Sequence, residues 1–386
     1  MSATVAARPA DPAPAAALSF YDLASQRRRL GPELERDLIK VLDHGAFLMG
    51  PEIFELERQL AARAGTRHAL TCGSGTDALQ LLLMAHRVGP GDAIFCPSFT
   101  FTATAEMIAL LGAVPFFVDV TAADFNLDPA GLEAAIAAAR AHGLQPRGIL
   151  PVDLYGQPAD YPAINAIARR HSLFVLGDAA QSFGATLGGK PVGSLCHAAA
   201  VSFYPTKPLA CYGDGGAVLT DDDTLIEVLR SLRIHGQGSD RYENVRIGMN
   251  ARMDTLQAVV LLHKLRIFAD EIAARDRIAQ RYSHALADRV AVPRLAEGRS
   301  SVWAQYTIEV EARDALADRL KQAGIPSMIY YPRPLHTQPP YLAFPRAPGG
   351  LPVTERLARR VLSLPMHPYL SDEAVDRIVA ALRAAL

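Results

Sequence analysis

Ala198-Ala-Ala-Val-Ser-Phe-Tyr-Pro-Thr-Lys-Pro-Leu-Ala-Cys-Tyr-Gly-Asp-Gly-Gly-Ala-Val-Leu219 consists of two short apolar runs, 198–203 and 217–219, separated by a turn that holds Lys207. The runs are too short for helices and are closed off by Pro205, Pro208, Gly213, Gly215 and Gly216, so they read as buried strands. Between them, Lys207 sits in a segment that makes a poor helix and a poor surface patch but a rigid seat for a nucleophilic amine. A lone lysine is ordinarily a solvated surface residue, so the meaning of Lys207 depends on what the chain places near it.

Working outward, further apolar runs at 93–95, 114–118, 149–154 and 173–176 are separated by helical segments such as 102–111, and another helix is expected at 222–232. This alternation predicts an α/β domain built on a largely parallel sheet. Ahead of it, Leu34, Leu38 and Val41, then Ile53, Leu56 and Leu60, recur at helical spacing, with Gly50-Pro51 opening the second helix and Gly65 closing it. A long amphipathic helix at about 253–271 leads out of the sheet, and 275–386 reads as helix, strand, helix, loop, helix. The expected layout is a disordered Ala/Pro-rich tail at 1–18, a large domain at 19–265 and a smaller C-terminal α+β domain at 266–386.

The chain has 386 residues, half of them apolar, with 39 basic against 40 acidic side chains and no long run of either sign. Such a balance points away from nucleic acid and anionic membranes, toward small molecules and other protein chains. Cys72, Cys96, Cys196 and Cys211 form no CxxC pair and no zinc-ligand spacing, which fits a reducing cytoplasm and no metal. The weakly charged stretch 94–118 is broken by Pro97, Glu106, Gly112 and Pro115, so no membrane span is expected.

Four clusters carry chemistry. Thr71-Cys-Gly-Ser-Gly-Thr-Asp77 opens a helical run, and such a turn either aims backbone N–H groups at a phosphate or is a plain N-cap by Ser74 or Thr76. Leu176-Gly-Asp-Ala-Ala-Gln-Ser-Phe-Gly184 places Asp178 just past a strand, where it either holds a protonated pyridine nitrogen or caps a helix with Gln181 at capping-box distance. Lys207 has Ser202 five residues before it and a glycine run after it, which combines an amine, a hydroxyl for a phosphate and a backbone open to close approach. Ile247-Gly-Met-Asn-Ala-Arg-Met253 offers Asn250 and Arg252, as anion ligands or as exposed cap residues.

In this order and at these separations the clusters resemble the DegT/DnrJ/EryC1/StrS family of pyridoxal-phosphate-dependent nucleotide-sugar aminotransferases. The resemblance runs from Phe20 onward and includes Gly50-Pro-Glu52, Pro97-Ser-Phe-Thr-Phe-Thr-Ala-Thr104, His235-Gly-Gln237, Tyr331-Pro332, Pro334-Leu-His336 and Leu364-Pro-Met-His-Pro368. It implies the fold type I of pyridoxal-phosphate enzymes, like that of aspartate aminotransferase. It further implies that Lys207 forms the Schiff base and shuttles the proton, that Asp178 pairs with the pyridinium, that Gln181 bonds the phenolic oxygen and that Phe101 stacks on the ring. Gly75, Thr76 and Ser202 would hold the phosphate, Asn250 would reach it from a neighbouring subunit, and Arg252 would lie near the sugar nucleotide from the same side. A homodimer with shared sites follows.

Family members with histidine at the lysine position carry out dehydration; Lys207 favours transamination. Lys207-Pro-Leu-Ala-Cys-Tyr-Gly-Asp-Gly-Gly216, Asn250-Ala-Arg-Met-Asp254 and the segment 363–369 look most like the WbpE type, which aminates C3 of a UDP-linked 2-acetamido-3-oxo-glucuronic acid with glutamate as donor, in surface-polysaccharide synthesis. Arg252 is the expected reader of the sugar carboxylate, with Arg333 and His336 as further candidates, whereas His367 reads as packing. Two alternatives stand beside this reading: the same reaction on another 3-keto or 4-keto sugar nucleotide, and a non-catalytic regulatory protein that keeps the fold. A binding module has no need of Lys207, Asp178 and Gln181 together. A nicotinamide dehydrogenase is disfavoured because no GxGxxG turn follows a strand.

Overall fold

A computed structural model describes residues 18–386; apart from Leu18, the segment expected to be a disordered tail lies outside the described residues. A seven-stranded sheet occupies the centre. Its strands are β1 (His68–Cys72), β2 (Asp92–Pro97), β3 (Val114–Val118), β4 (Gln145–Ile149), β5 (Phe174–Asp178), β6 (Ala198–Ser202) and β7 (Gly216–Thr220), in the spatial order β1-β7-β6-β5-β4-β2-β3. The block from β6 to β3 is parallel, and β7 runs antiparallel to both β1 and β6. In β6, Ala198 and Ala200 face one core while Ala199 and Val201 face another, the period of two that a strand covered on both faces requires.

Helices cover both faces. After the N-terminal helices α1 (Leu23–Leu30) and α2 (Glu33–His44), α3 (Pro51–Ala64) starts with proline in its first turn and ends at Gly65 in the left-handed conformation (φ 66°), as the Gly-Pro and Gly signals predict. The helices α4 (Gly75–Ala85), α5 (Ala103–Leu110), α6 (Leu132–Ala141), α7 (Tyr161–His171) and α8 (Asp223–Arg233) connect the strands. Next comes α9 (Thr255–Leu286), then strand β8 (Tyr306–Glu309), helices α10 (Arg313–Gln322) and α11 (Pro352–Arg360), strand β9 (Val361–Leu364) and helix α12 (Asp372–Ala385). Strands β8 and β9 pair antiparallel, and Tyr306, Ile308, Leu362 and Leu364 form a second core with Leu316, Ile378 and Leu382.

Several elements depart from the sequence expectation. The helix predicted at about 253–271 continues to Leu286, because no glycine or proline interrupts the stretch and Ile278, Ala279, Tyr282 and Leu286 extend its apolar face into the second core. Strand β1 carries no strong apolar run of its own and is fixed by pairing with β7. The predicted strand at 149–154 lies earlier, at Gln145–Ile149. The apolar residues that follow run past the end of the ladder, where Asp178 N–H donates to Pro151 O at 2.9 Å and Asp153 N–H donates to Asp178 O at 3.0 Å. The C-terminal part also contains a second strand, β9, which the reading of 275–386 as helix, strand, helix, loop, helix did not include and which pairs with β8.

Candidate active site

The carboxyl ends of β2, β5 and β6 open into one cavity of about 730 Å³, the place where open parallel sheets put their ligands. Its lining includes Gly75, Thr76, Phe101, Asp178, Gln181, Ser202 and Lys207, so seven of the residues singled out from the sequence converge on one space.

One wall is the start of α4. Ser74, not Thr76, is the N-cap, its Oγ accepting from Asp77 N–H at 3.0 Å. A Cβ on Gly75 would stand 2.6 Å from Ser202 Cβ, and one on Gly216 would stand 2.2 Å from Ser74 O. Only glycine therefore lets the helix N-terminus, β7 and the Ser202 hydroxyl meet. Ser202 Oγ accepts from Tyr204 N–H at 3.3 Å and keeps its own proton to donate. A helix N-terminus with a flanking hydroxyl is the donor set that a phosphate takes.

The floor holds Asp178 and Lys207. Asp178 is buried, accepting from Ala180 N–H on Oδ1 at 3.2 Å and from Thr104 Oγ1 on Oδ2 at 2.9 Å. Burial pushes its carboxyl above the usual carboxylate range, while Thr104, Ala180 and the Lys207 cation oppose that push. Burial also holds the Lys207 amine below the ordinary lysine value, with Asp178 working the other way. An anion that can hold a ring N–H thus shares the cavity with an amine biased toward its free base.

Gln181 stands beside them, its Oε1 accepting from Tyr155 N–H at 2.7 Å and its Nε2 3.4 Å from Tyr331 Oη. Phe101 lies at the rim, 55 % exposed, with its ring centroid 6.3 Å from that of Tyr331. This lining of two glycine-bordered phosphate donors, a buried carboxylate, an amine and an exposed aromatic face fits pyridoxal phosphate in each of its parts.

The remaining candidates lie elsewhere. Asn250 and Arg252 are outside the cavity of their own chain; Asn250 Oδ1 accepts from Arg252 Nη2 at 2.6 Å and Nε at 3.0 Å on the surface. His336 is a buried wall residue and not part of the lining: Nδ1 is 2.8 Å from Ser98 Oγ and Nε2 is 3.3 Å from Glu355. His367 is buried as well, and desolvation lowers its pKa to about 4. Tyr21, Tyr330 and Tyr331 line the cavity without having been assigned a role from sequence; the Tyr21 and Tyr330 hydroxyls lie 3.0 Å apart although 309 positions separate them. Thr104 was likewise given no role of its own, although it closes the segment 97–104 that carries part of the family resemblance.

Comparison with known proteins bears directly on this arrangement. The family model of the DegT/DnrJ/EryC1/StrS aminotransferases matches residues 29–383. The chain belongs to that family. A Pseudomonas aeruginosa relative, UDP-2-acetamido-2-deoxy-3-oxo-D-glucuronate aminotransferase, is 45 % identical over 366 residues, covering 95 % of this chain and 99 % of its own. Among solved structures, a DegT/DnrJ/EryC1/StrS aminotransferase from Brucella abortus is 52 % identical with a TM-score of 0.94, covering 95 % of this chain and 99 % of that one. DesV from S. venezuelae is 38 % identical with a TM-score of 0.90, covering 95 % and 98 %.

As a DegT/DnrJ/EryC1/StrS protein, the chain is a pyridoxal-phosphate-dependent aminotransferase, with the α/β fold and mostly parallel sheet of that family. Among the described residues, no helix is long and apolar enough to cross a membrane, and no group of three or more His, Cys, Asp or Glu side chains is placed to hold a metal.

Proposed function

We propose that this aminotransferase moves the amino group of glutamate to C3 of a UDP-linked 2-acetamido-3-oxo-glucuronic acid for surface-polysaccharide synthesis, as a cytoplasmic homodimer with two shared sites. The observation that carries the reaction is the meeting of Lys207 and Asp178 in one buried cavity beside the α4 N-terminus. The choice of sugar rests on the 45 % identity, over nearly full length, to the relative of that name.

Pyridoxal phosphate, when bound, supplies an electron sink for charge that develops at the amino carbon. In this reading Asp178 keeps the ring nitrogen protonated and Gln181 donates an amide N–H to the phenolic oxygen. Phe101 covers a ring face, while Gly75, Thr76 and Ser202 hold the phosphate. Lys207 is the base and acid: its depressed pKa leaves more free amine at neutral pH, ready to take a proton from the amino carbon and return it. Asn250 and Arg252 of a second copy complete the phosphate and sugar sites, which accounts for two polar side chains that face outward and bond each other. Division into a cofactor domain at 19–265 and a small domain at 266–386 belongs to the same proposal.

A second reading has one observation in its favour. Lys207 is the only cationic side chain among the described lining residues, so the cavity of a single chain suits a neutral keto sugar as well as a uronate. The experiment is a panel of 3-keto and 4-keto sugar nucleotides with glutamate, scored by amino-sugar formation. Preferred turnover of the 3-oxo-uronate supports the first reading; preference for a neutral sugar replaces it.

A further inference from the structure

Asp178 does not stand alone beneath the cavity. Its Oδ2 accepts from Thr104 Oγ1 at 2.9 Å, and Thr104 Oγ1 in turn lies 3.2 Å from Thr100 Oγ1. All three residues are buried, at 6 %, 0 % and 2 % exposure for Asp178, Thr104 and Thr100. The direction of the protons follows from valence. An ionised carboxylate only accepts, so the single hydroxyl proton of Thr104 is committed to Asp178, and Thr104 must receive its second bond from Thr100. Thr100 lines the cavity and Thr104 does not. The two hydroxyls thus form a one-way donor chain from the cavity wall to the carboxylate.

We propose that Thr104 is a positioning residue for the transamination, acting through Asp178 and supported by Thr100; the proposal rests on the reading that Asp178 holds the ring nitrogen of the cofactor. Two features make Thr104 more than packing. First, Asp178 has one donor per oxygen, Ala180 N–H on Oδ1 and Thr104 on Oδ2. The pair fixes the plane of the carboxylate, and with it the line along which a ring N–H must approach. Second, the carboxylate sits in a desolvated place where charge is disfavoured, and a charge-assisted hydrogen bond from a neutral donor stabilises the anion without supplying a competing cation. Thr104 stands at the start of α5, so its backbone is held by the helix while its hydroxyl reaches across to the end of β5. Among the described residues, no other side chain donates a hydrogen bond to Asp178.

The test uses the cofactor-bound enzyme with ¹⁵N-labelled pyridoxal phosphate and compares wild type with Thr104→Val, Thr104→Ser and Asp178→Asn. The readouts are the ring-nitrogen chemical shift across pH and the split between kcat and KM. Thr104→Val is expected to move the ring-nitrogen signal toward the unprotonated form and to lower kcat about tenfold to a hundredfold, the range of one charge-assisted bond, with KM for the keto sugar little changed. Thr104→Ser is expected to restore both. If Asp178→Asn moves the signal and Thr104→Val leaves it in place, the role of Thr104 is overturned while that of Asp178 stands. If Asp178→Asn leaves the signal in place, the reading of Asp178 falls and this proposal with it. A kcat loss in Thr104→Val that serine does not restore assigns Thr104 to packing. Should Thr104→Val fail to fold, Thr100→Val, which leaves Thr104 in place but removes its donor, is expected to produce the same shift at smaller amplitude, and no shift overturns the donor chain.

Discussion

Asp178, at the end of β5, and Arg252, on the loop before α9, are both charged groups that the proposed function places near a ligand, yet the molecule treats them in opposite ways. Asp178 is 6 % exposed, and each of its oxygens has a donor from its own chain. Arg252 has no carboxylate partner among the described residues and bonds only Asn250, two positions away on the surface. The floor of the cavity is therefore self-sufficient, built where parallel strands end and fixed by buried hydrogen bonds. The 250–252 segment is presented outward, and in the proposed assembly it acts on the cavity of another copy. In that proposal, chemistry and recognition are carried by parts of the chain that meet only when two chains meet.

The strongest way to break this division is at the floor. Lys207→Ala is expected to lower kcat/KM by at least about 10³-fold, since among the described residues no other amine lines the cavity, and borohydride treatment of wild type is expected to fix the cofactor on the peptide containing Lys207. Label on a different lysine would relocate the chemistry.

Next in size is a mixing experiment. Lys207→Ala chains and Asn250→Ala/Arg252→Ala chains are each expected to be nearly inactive alone. Unfolded and refolded together, they should regain about a quarter of wild-type activity per site, because half of random dimers carry one intact composite site. No recovery would mean that 250–252 serves its own chain.

A smaller effect is expected for Arg252→Ala by itself: about 10- to 100-fold weaker binding of a UDP-uronate and only a few-fold change for the neutral sugar nucleotide, measured by calorimetry. Equal losses on the two ligands would remove Arg252 as the carboxylate reader.

The smallest expected effect probes the interior beside Asp178. Asp153 is fully buried, and desolvation raises its pKa to about 7 although Ser182 and Ala159 N–H donate to it. A folded-state pKa above the unfolded value means stability that is fully present at low pH and is lost as pH rises through about 7. Wild type should therefore lose about 1 kcal/mol relative to Asp153→Asn between pH 6 and pH 8 in urea unfolding. A constant gap between the two proteins would show that Asp153 does not titrate there.

The same contrast governs what was legible in the sequence. The floor could be read because its residues sit in local signatures: a strand running into Asp178, a Pro- and Gly-bounded turn around Lys207, and a Gly/Ser/Thr helix start at Ser74. The sheet was legible for the same reason, save β1, which is fixed by pairing with β7, and β4, which starts ahead of the apolar run that predicted it. Contacts between remote segments left no local mark. Nothing near Tyr21 announces Tyr330, and nothing near Ser98 announces that His336 will be buried against it instead of facing the ligand. Thr104 was hidden differently, since a threonine at a helix start is usually a cap and its bond to Asp178 depends on how α5 sits against β5.

Helix α9 has a mechanical consequence. Its 32 residues make a beam about 48 Å long, seated at one end by Leu261, Leu265 and Phe268 in the main core and at the other by Ile278, Tyr282 and Leu286 in the second. Near its middle, Arg275 Nη1 bolts the beam to Trp303 O and Met366 O, each at 3.1 Å. Tyr330 and Tyr331, which line the cavity together with Lys207, come from the part of the chain that follows this beam. Ala273 is exposed on it, so Ala273→Pro would insert a joint without removing a core contact, at a helix penalty of about 3 kcal/mol. In the proposed function an enzyme with that joint should keep its cofactor absorbance while its KM for the keto sugar nucleotide rises, because the floor would stay whole while the side carrying Tyr330 and Tyr331 came loose.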